Sequence, residues 1–197
     1  MQKASYNLIS YETGLDRKTI WRVMKAVSSV LVPKYYKNEC IIGGQDIIVE
    51  IDEFKFGKRK YNKGHRVEGI WVFGMVEKTD QRRIKLMAVD NRKENTLTQQ
   101  LVQNIDSNSI LYSDCWKGYK KIIERFAKHL TVNHSKNYKD PTTGCHTNTI
   151  EGNWAGIKMH IPSAGKSKER IHLYLVRYML LRNETSHPLI SILKYLF

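Results

Sequence analysis

Five short apolar segments, each bounded by turn residues, most constrain what this chain can fold into. They are rich in β-branched residues, which favours strands, and they span residues 47–52, 69–76, 84–89, 109–113 and 130–133. Apolar residues at helical spacing mark the remaining elements, over residues 95–105, 116–127, 148–160 and 169–184. The order β-β-β-α-β-α-β-α-α predicts an α/β fold with one mixed five-stranded sheet and helices on its faces.

A small helical segment precedes this pattern, over residues 1–32. Gly14 marks a turn and Asp16 a helix cap, after which a basic second helix begins. The arrangement is similar to the last two helices of a helix-turn-helix DNA reader, in which Arg17, Lys18 and Arg22 would bind DNA. A plain helical hairpin that packs on the main domain remains an equal alternative.

Turn-forming residues separate this helical segment from the strands. Pro33, Gly43 and Gly44 predict a linker over residues 33–46. The main domain is then expected over residues 47–185, and residues 186–197 are expected to form a C-terminal tail.

The charge balance points to a polyanionic partner. Thirty-three Lys and Arg against 19 Asp and Glu give a net charge of +14 and a pI near 9.7, which favours nucleic acid as the partner. The three cysteines form no CxxC pair, which favours a reducing compartment over a zinc ribbon or a disulfide framework.

Membrane and export signals are missing from the sequence pattern. The sequence has no run of about 18 apolar residues and no secretory signal, so neither a membrane partner nor secretion is expected. We expect the nucleus in a eukaryotic host, and otherwise the cytoplasm or nucleoid.

Three carboxylates stand out by their positions. Asp52 and Asp114 are predicted to end apolar strands, where ligands collect in open α/β sheets. Glu151 lies on a predicted helix, on the same face as Asn148 and Lys158. For Asp114 a helix N-cap is an equal alternative, and for Glu151 the helix periodicity alone favours an ordinary solvated face.

Carboxylates in this arrangement have one specific chemical use. Mg²⁺ prefers oxygen ligands and keeps several waters, and two such ions can support an in-line phosphoryl displacement. The spacing of the three carboxylates is compatible with this chemistry.

Between about Ile48 and Asn183 the sequence contains VEIDE (49–53), YSDCWKGY (112–119), NHS (133–135), HTNTIEGNW (146–154), and LVRY (175–178) with RN (182–183). Through these motifs the chain resembles the catalytic domain of DDE-type transposases, namely the Merlin-like group and the related bacterial insertion-sequence group. The motifs occur in the family's order, and 36 residues separate Asp114 from Glu151, a spacing typical of these enzymes.

The resemblance implies a ribonuclease-H-like fold and a catalytic, metal-binding triad. In that triad Asp52, Asp114 and Glu151 hold two Mg²⁺ ions, with Mn²⁺ as a substitute. Lys158 resembles the family's DNA-contacting basic residue. The motif residues Asn148, His134 and His146 would support the ligands, although structural loop histidines are an equal alternative. Trp116, Tyr119 and Trp154 are expected to pack.

The implied function is metal-dependent DNA strand cleavage and strand transfer at transposon ends. The implied partners are double-stranded DNA, as transposon ends and target, and a second copy of the chain in at least a dimer. Two alternatives stay open: a domesticated or truncated transposase that binds DNA without cutting it, and a structure-directed nuclease of the same fold.

Overall fold

A computed structural model describes residues 6–57, 69–119, 125–161, 167–184, 193 and 195. The chain divides into two compact units, Met1–Glu39 with Ser186–Phe197, and Cys40–Thr185. No helix in the described part of the chain is long and apolar enough to cross a membrane. Cys40, Cys115 and Cys145 are free thiols.

The first unit contains two helices, α1 (Tyr6–Thr13) and α2 (Arg17–Asn38). Gly14 has φ +67° at the turn between them, a conformation that glycine adopts without strain. Asp16 caps α2, since its carboxylate accepts hydrogen bonds from the backbone N–H groups of Lys18 at 2.8 Å and Thr19 at 3.1 Å. The predicted turn and cap are therefore both present.

The structure differs from the predicted linker. Helix α2 continues through Pro33 to Asn38, and the boundary between the two units follows Glu39. Leu31 and Tyr35, four residues apart, are both buried, and their packing outweighs the helix-breaking tendency of proline. Tyr35 also packs on Tyr195, with ring centroids 5.3 Å apart, so the predicted C-terminal tail belongs to this unit.

The second unit is built on a five-stranded sheet. Its strands are β1 (Ile48–Phe56), β2 (Ile70–Glu77), β3 (Ile84–Val89), β4 (Ile110–Asp114) and β5 (Lys128–Val132). The spatial order is β3-β2-β1-β4-β5. The β1–β2 and β2–β3 pairs are antiparallel, and β1–β4 and β4–β5 are parallel. This mixed order confirms the predicted ribonuclease-H-like fold.

Helices cover both faces of the sheet, as predicted. Helix α3 (Glu94–Asn104) packs through Leu97 and Leu101 on one face, in a cluster with Ile51 of β1 and Phe73 of β2. Helices α4 (Asn148–His160) and α5 (Lys168–Asn183) contact β1, β2 and β3. Successive side chains of a strand point to opposite faces of the sheet. Ile51 and Phe73 therefore face α3, and the residues next to them in sequence face α4 and α5.

Most of the helix predicted over residues 116–127 is not tested, because residues 120–124 lie outside the described part of the chain. Residues 117–119 form a 3₁₀ turn. The turn is fixed because Asp114 Oδ1 accepts a hydrogen bond from Trp116 N at 3.0 Å and because Tyr119 is buried.

Gly74 leaves room for helix α4, and replacing it with alanine should destabilise the second unit. A Cβ atom at this position would lie 2.7 Å from the Trp154 indole and 2.8 Å from Ile150 Cδ1. Overpacking of this kind costs about 1–3 kcal/mol, so Gly74→Ala should lower the melting temperature by several degrees. The matched control is Gly152→Ala in α4, where a Cβ would meet nothing within 4 Å. Thermal unfolding checks both, and equal melting temperatures would contradict the packing argument.

Candidate active site

Asp52 lies in the middle of a strand, which corrects the prediction that it ends one. It is the fifth of the nine residues of β1, which runs on to Phe56. The strand continues because β2 pairs with it as far as Phe56, whereas β4 pairs only with residues 48–50. Asp52 therefore lies just past the point where β4 leaves β1.

The register between β1 and β4 brings the two aspartates to the same place. Glu50 pairs with Tyr112, and the same register two residues further on aligns Asp52 with Asp114, the last residue of β4. Asp114 also accepts a hydrogen bond from Trp116 N in the turn that follows β4. It therefore has a cap-like role in that turn, which was the predicted alternative, in addition to its position in the site.

Two hydrogen bonds hold the Asp52 carboxylate. Trp154 Nε1 of α4 donates to Oδ2 at 2.9 Å, and the backbone N–H of Glu53 donates to Oδ1 at 2.8 Å. Burial raises the pKa of Asp52 to about 6, and the negative charges of Asp114 and Glu151 contribute to the rise, while both hydrogen bonds oppose it. The site therefore concentrates negative charge at a partly desolvated carboxylate.

The three predicted carboxylates line one cavity of about 400 Å³. The described residues around it are Asp52, Phe54, Asp114, His134, Thr147, Glu151, Trp154 and Lys158. One strand end, one mid-strand position and one helix face thus converge on a single opening, together with the predicted residues His134 and Lys158.

Glu151 is held at the side of this cavity. Its Oε1 accepts a hydrogen bond from Thr147 Oγ1 at 3.0 Å and lies 3.4 Å from His134 Nε2. His134 Nε2 is also 2.8 Å from Thr147 Oγ1. Because the hydroxyl hydrogen points to Glu151, the imidazole donates to the hydroxyl, which gives a chain His134–Thr147–Glu151. The Glu151 side chain is 46% exposed, so solvent reaches the carboxylate beside these two partners.

The donor chemistry of the cavity suits a divalent metal ion. Three carboxylates without sulfur ligands match the oxygen preference of Mg²⁺ and Mn²⁺. Among the described residues, however, no three Asp, Glu, His or Cys side chains stand close enough together to hold a metal ion as they are placed. Since Glu151 is bonded to Thr147 and His134, a shared site requires its side chain to turn toward the aspartates.

Lys158 is exposed and lies over the Phe54 ring, with Nζ 4.0 Å from the ring centroid. The contact holds the ammonium at the rim of the cavity. The three other predicted DNA-binding residues, Arg17, Lys18 and Arg22, are exposed on α2 in the first unit.

His146 and Asn148 are not among the described residues that line the cavity. His146 Nε2 lies 2.6 Å from Lys78 Nζ, and Nδ1 lies 3.4 Å from Glu50 Oε1. Burial lowers the pKa of His146, and the Lys78 charge adds to the decrease. Within the described part of the chain, Asn148 Oδ1 is buried without a hydrogen-bond partner. Both residues therefore belong to the start of α4 rather than to the cavity wall.

Sequence reasoning missed Glu53, a fourth carboxylate, on the opposite face of β1. The buried Tyr119 hydroxyl donates to Glu53 Oε1. Burial raises the pKa of Glu53 to about 7, the hydrogen bond opposes the rise, and Asp52 and Asp114 add to it. Tyr119 and Trp154, expected only to pack, thus each also hydrogen bond to a carboxylate of β1. Strand alternation in the VEIDE motif was the signal available in sequence, since it separates Glu50 and Asp52 from Glu53.

Comparison with known proteins gives one family and several solved structures, of which two are described here. The family described as ISXO2-like transposase domain matches residues 39–179, and no curated protein matches. The catalytic core domain of BIV integrase is similar at 13% identity and a TM-score of 0.47, covering 75% of this chain and 93% of that one. The NurA nuclease from Sulfolobus solfataricus is 13% identical with a TM-score of 0.20, covering 86% and 54%.

Both TM-scores are below 0.5, and neither similarity supports an assignment. The family match extends over well more than half of the chain and includes Asp52, Asp114 and Glu151. The chain therefore belongs to the ISXO2-like transposase domain family and contains a DDE-type transposase domain.

Proposed function

We propose that the chain catalyses divalent-metal-dependent DNA strand cleavage and strand transfer at transposon ends. The observation that supports this function is the convergence of Asp52, Asp114 and Glu151 on one cavity, with Lys158 at its rim. Three carboxylates beside a cation are unsuited to binding a DNA phosphate directly, because the carboxylates repel it. They suit a site in which divalent cations intervene.

In this proposal Asp52, Asp114 and Glu151 would hold two Mg²⁺ ions, for which Mn²⁺ can substitute. The bound ions would supply activation of the attacking oxygen and stabilisation of the leaving oxygen in an in-line displacement. Trp154 Nε1 orients Asp52. Thr147 and His134 hold Glu151 when it is away from the aspartates.

The attacking oxygen differs between the two steps. Water attacks the phosphodiester at the transposon end and releases a 3′-hydroxyl, which then attacks a phosphodiester of the target DNA. Each step breaks one P–O bond and forms another. No histidine base is required for either step, and His134 instead contacts Thr147 and Glu151 in the cavity wall.

Double-stranded DNA is the proposed partner, as transposon end and as target. The net charge of +14 favours it, and Arg17, Lys18 and Arg22 on α2 are the proposed contacts of the first unit. A dimer or larger assembly is proposed from the family resemblance alone.

A DNA-binding protein without cleavage activity is the second candidate. The observation that favours it is the placement of Glu151 on Thr147 and His134, away from a complete metal site. The deciding experiment is incubation of the full chain with duplex DNA carrying the ends of its mobile element, in Mg²⁺, Mn²⁺ or EDTA. Metal-dependent nicks at the end boundary support the enzyme, and binding without nicks in either metal supports the second candidate. Cleavage without joined target products would instead indicate a nuclease.

Lys158→Ala should weaken DNA binding and slow cleavage about tenfold. Removing one phosphate contact lowers the slope of log K against log salt by about one. Lys128→Ala is the matched control, because Lys128 is exposed at the start of β5. The other end of β5, at Val132, is the end that pairs with Asp114. Binding measured across a salt series checks the prediction. Identical slopes for wild type and Lys158→Ala would rule out the phosphate contact.

A further inference from the structure

Glu50 is a buried carboxylate with no place in the proposed chemistry. It lies on β1, two residues before Asp52, and its side chain is fully buried. Strand alternation puts Glu50 and Asp52 on the same face of the sheet. Both side chains contact α4, Glu50 through Thr149 and Ile150 and Asp52 through Trp154.

Glu50 takes the place of the N-terminal cap of α4. The residue at the cap position, Thr147, makes no side-chain capping bond, because its hydroxyl is bonded to Glu151 and His134. Glu50 Oε2 instead accepts from the backbone N–H groups of Thr149 at 2.8 Å and Ile150 at 3.1 Å. A carboxylate at a helix N-terminus is also favoured by the helix dipole.

The second oxygen of Glu50 is bonded as well. Oε1 accepts from Thr149 Oγ1 at 2.9 Å and lies 3.4 Å from His146 Nδ1. The same Nδ1 accepts a hydrogen bond from the backbone N–H of Asn148 at 3.4 Å, and Nε2 faces Lys78 Nζ at 2.6 Å. The first turn of α4 is therefore fixed at both oxygens of one buried side chain.

Helix α4 is thus attached to β1 at two points, with Glu151 between them. Glu50 holds Thr149 and Ile150, and Asp52 holds Trp154. We infer that Glu50 is a positioning residue that sets how far Glu151 stands from Asp52 and thereby sets the metal affinity of the cavity. The inference rests on the proposed function, since it takes the three carboxylates as metal ligands.

The test measures Mn²⁺ binding to the full chain by electron paramagnetic resonance, without DNA, beside thermal unfolding. Glu50→Gln keeps the shape and removes the charge. Its Mn²⁺ dissociation constant should rise about tenfold, as it does when groups supporting a metal ligand are altered. The matched control is Glu77→Gln, because Glu77 is an equally buried carboxylate on the adjacent strand, bonded to Arg83 and Gly43 N. That variant should lose stability and keep wild-type Mn²⁺ affinity.

A second pair of variants serves if Glu50→Gln does not fold. Thr149→Val removes the hydroxyl that donates to Glu50 Oε1 and should raise the Mn²⁺ dissociation constant. Thr149→Ser keeps the hydroxyl and should bind Mn²⁺ as tightly as wild type does. Folded Glu50→Gln or Thr149→Val with wild-type Mn²⁺ affinity would overturn the inference, and so would an equal loss in Glu77→Gln.

The variant Glu151→Gln distinguishes an error in the positioning role of Glu50 from an error in the assignment of the metal ligands. If Glu151→Gln weakens Mn²⁺ binding and Glu50→Gln does not, the positioning role is wrong and the proposed function stands. If wild type binds no Mn²⁺, or Glu151→Gln binds it as wild type does, the ligand assignment itself is wrong.

Discussion

Asp114→Asn should abolish DNA cleavage, by about three orders of magnitude or more, while DNA binding stays within about twofold of wild type. Asp114 ends β4 beside Asp52 in the cavity, where its charge would be shared by metal ions. Asparagine keeps the oxygen that accepts from Trp116 N, so the turn after β4 should persist. The change therefore removes one negative charge from the site and little of the fold.

The measurement is cleavage of an end-containing duplex in Mg²⁺ and in Mn²⁺, beside a binding assay in Ca²⁺. Asp80→Asn is the matched control, because Asp80 is exposed in the turn between β2 and β3, and it should cleave as wild type does. Loss of binding in parallel with cleavage would show that Asp114 supports the DNA surface or the fold, which would count against a ligand role.

The sheet could be predicted from sequence because its signals are local. Five apolar segments and the spacing of Leu97 and Leu101 predicted the number of strands, their sequence along the chain and one covering helix. Where local signals were mixed, the boundaries were wrong. Polar Glu53 and Lys55 concealed the second half of β1, which persists because β2 pairs with it. Pro33 suggested a helix end, and burial of Tyr35 outweighed it.

The site could be predicted only in part, because its residues meet across long stretches of chain. The motifs named the three carboxylates, and the register of β1 and β4 explains why two of them meet. The bond from Trp154 to Asp52 spans 102 residues, and the bonds from Thr149 and Ile150 to Glu50 span 99 and 100. Neither helical nor strand periodicity carries information over that range. The roles of Glu50 and Trp154 therefore required the fold.

Asp52→Asn should also abolish cleavage, but it should stabilise the metal-free protein at pH 8. The folded-state pKa of Asp52 is about 6 against an ordinary 3.8, so the folded state binds the proton more tightly than the unfolded state. This contribution to stability is fully present below pH 3.8 and is lost as pH rises through 6. A shift of this size corresponds to about 2–3 kcal/mol.

Asparagine at position 52 carries no charge at any pH and can still accept from Trp154 Nε1. The amide NH₂ replaces the second carboxylate oxygen, so one of the two N–H donors to residue 52 loses its acceptor, which costs about 1 kcal/mol. The unfolding free energy of the variant relative to wild type should therefore rise by about 2 kcal/mol between pH 4.5 and pH 8 in EDTA. Removing the Asp52 charge also lowers the pKa of the neighbouring Glu53, which that charge helps to raise, and this effect acts in the same direction.

Urea unfolding at both pH values measures the change, and the exposed control Asp80→Asn is expected to show none. If the difference in unfolding free energy between variant and wild type does not change with pH, burial does not raise the pKa of Asp52. The cavity would then lack the buried negative charge that is proposed to attract the metal ions.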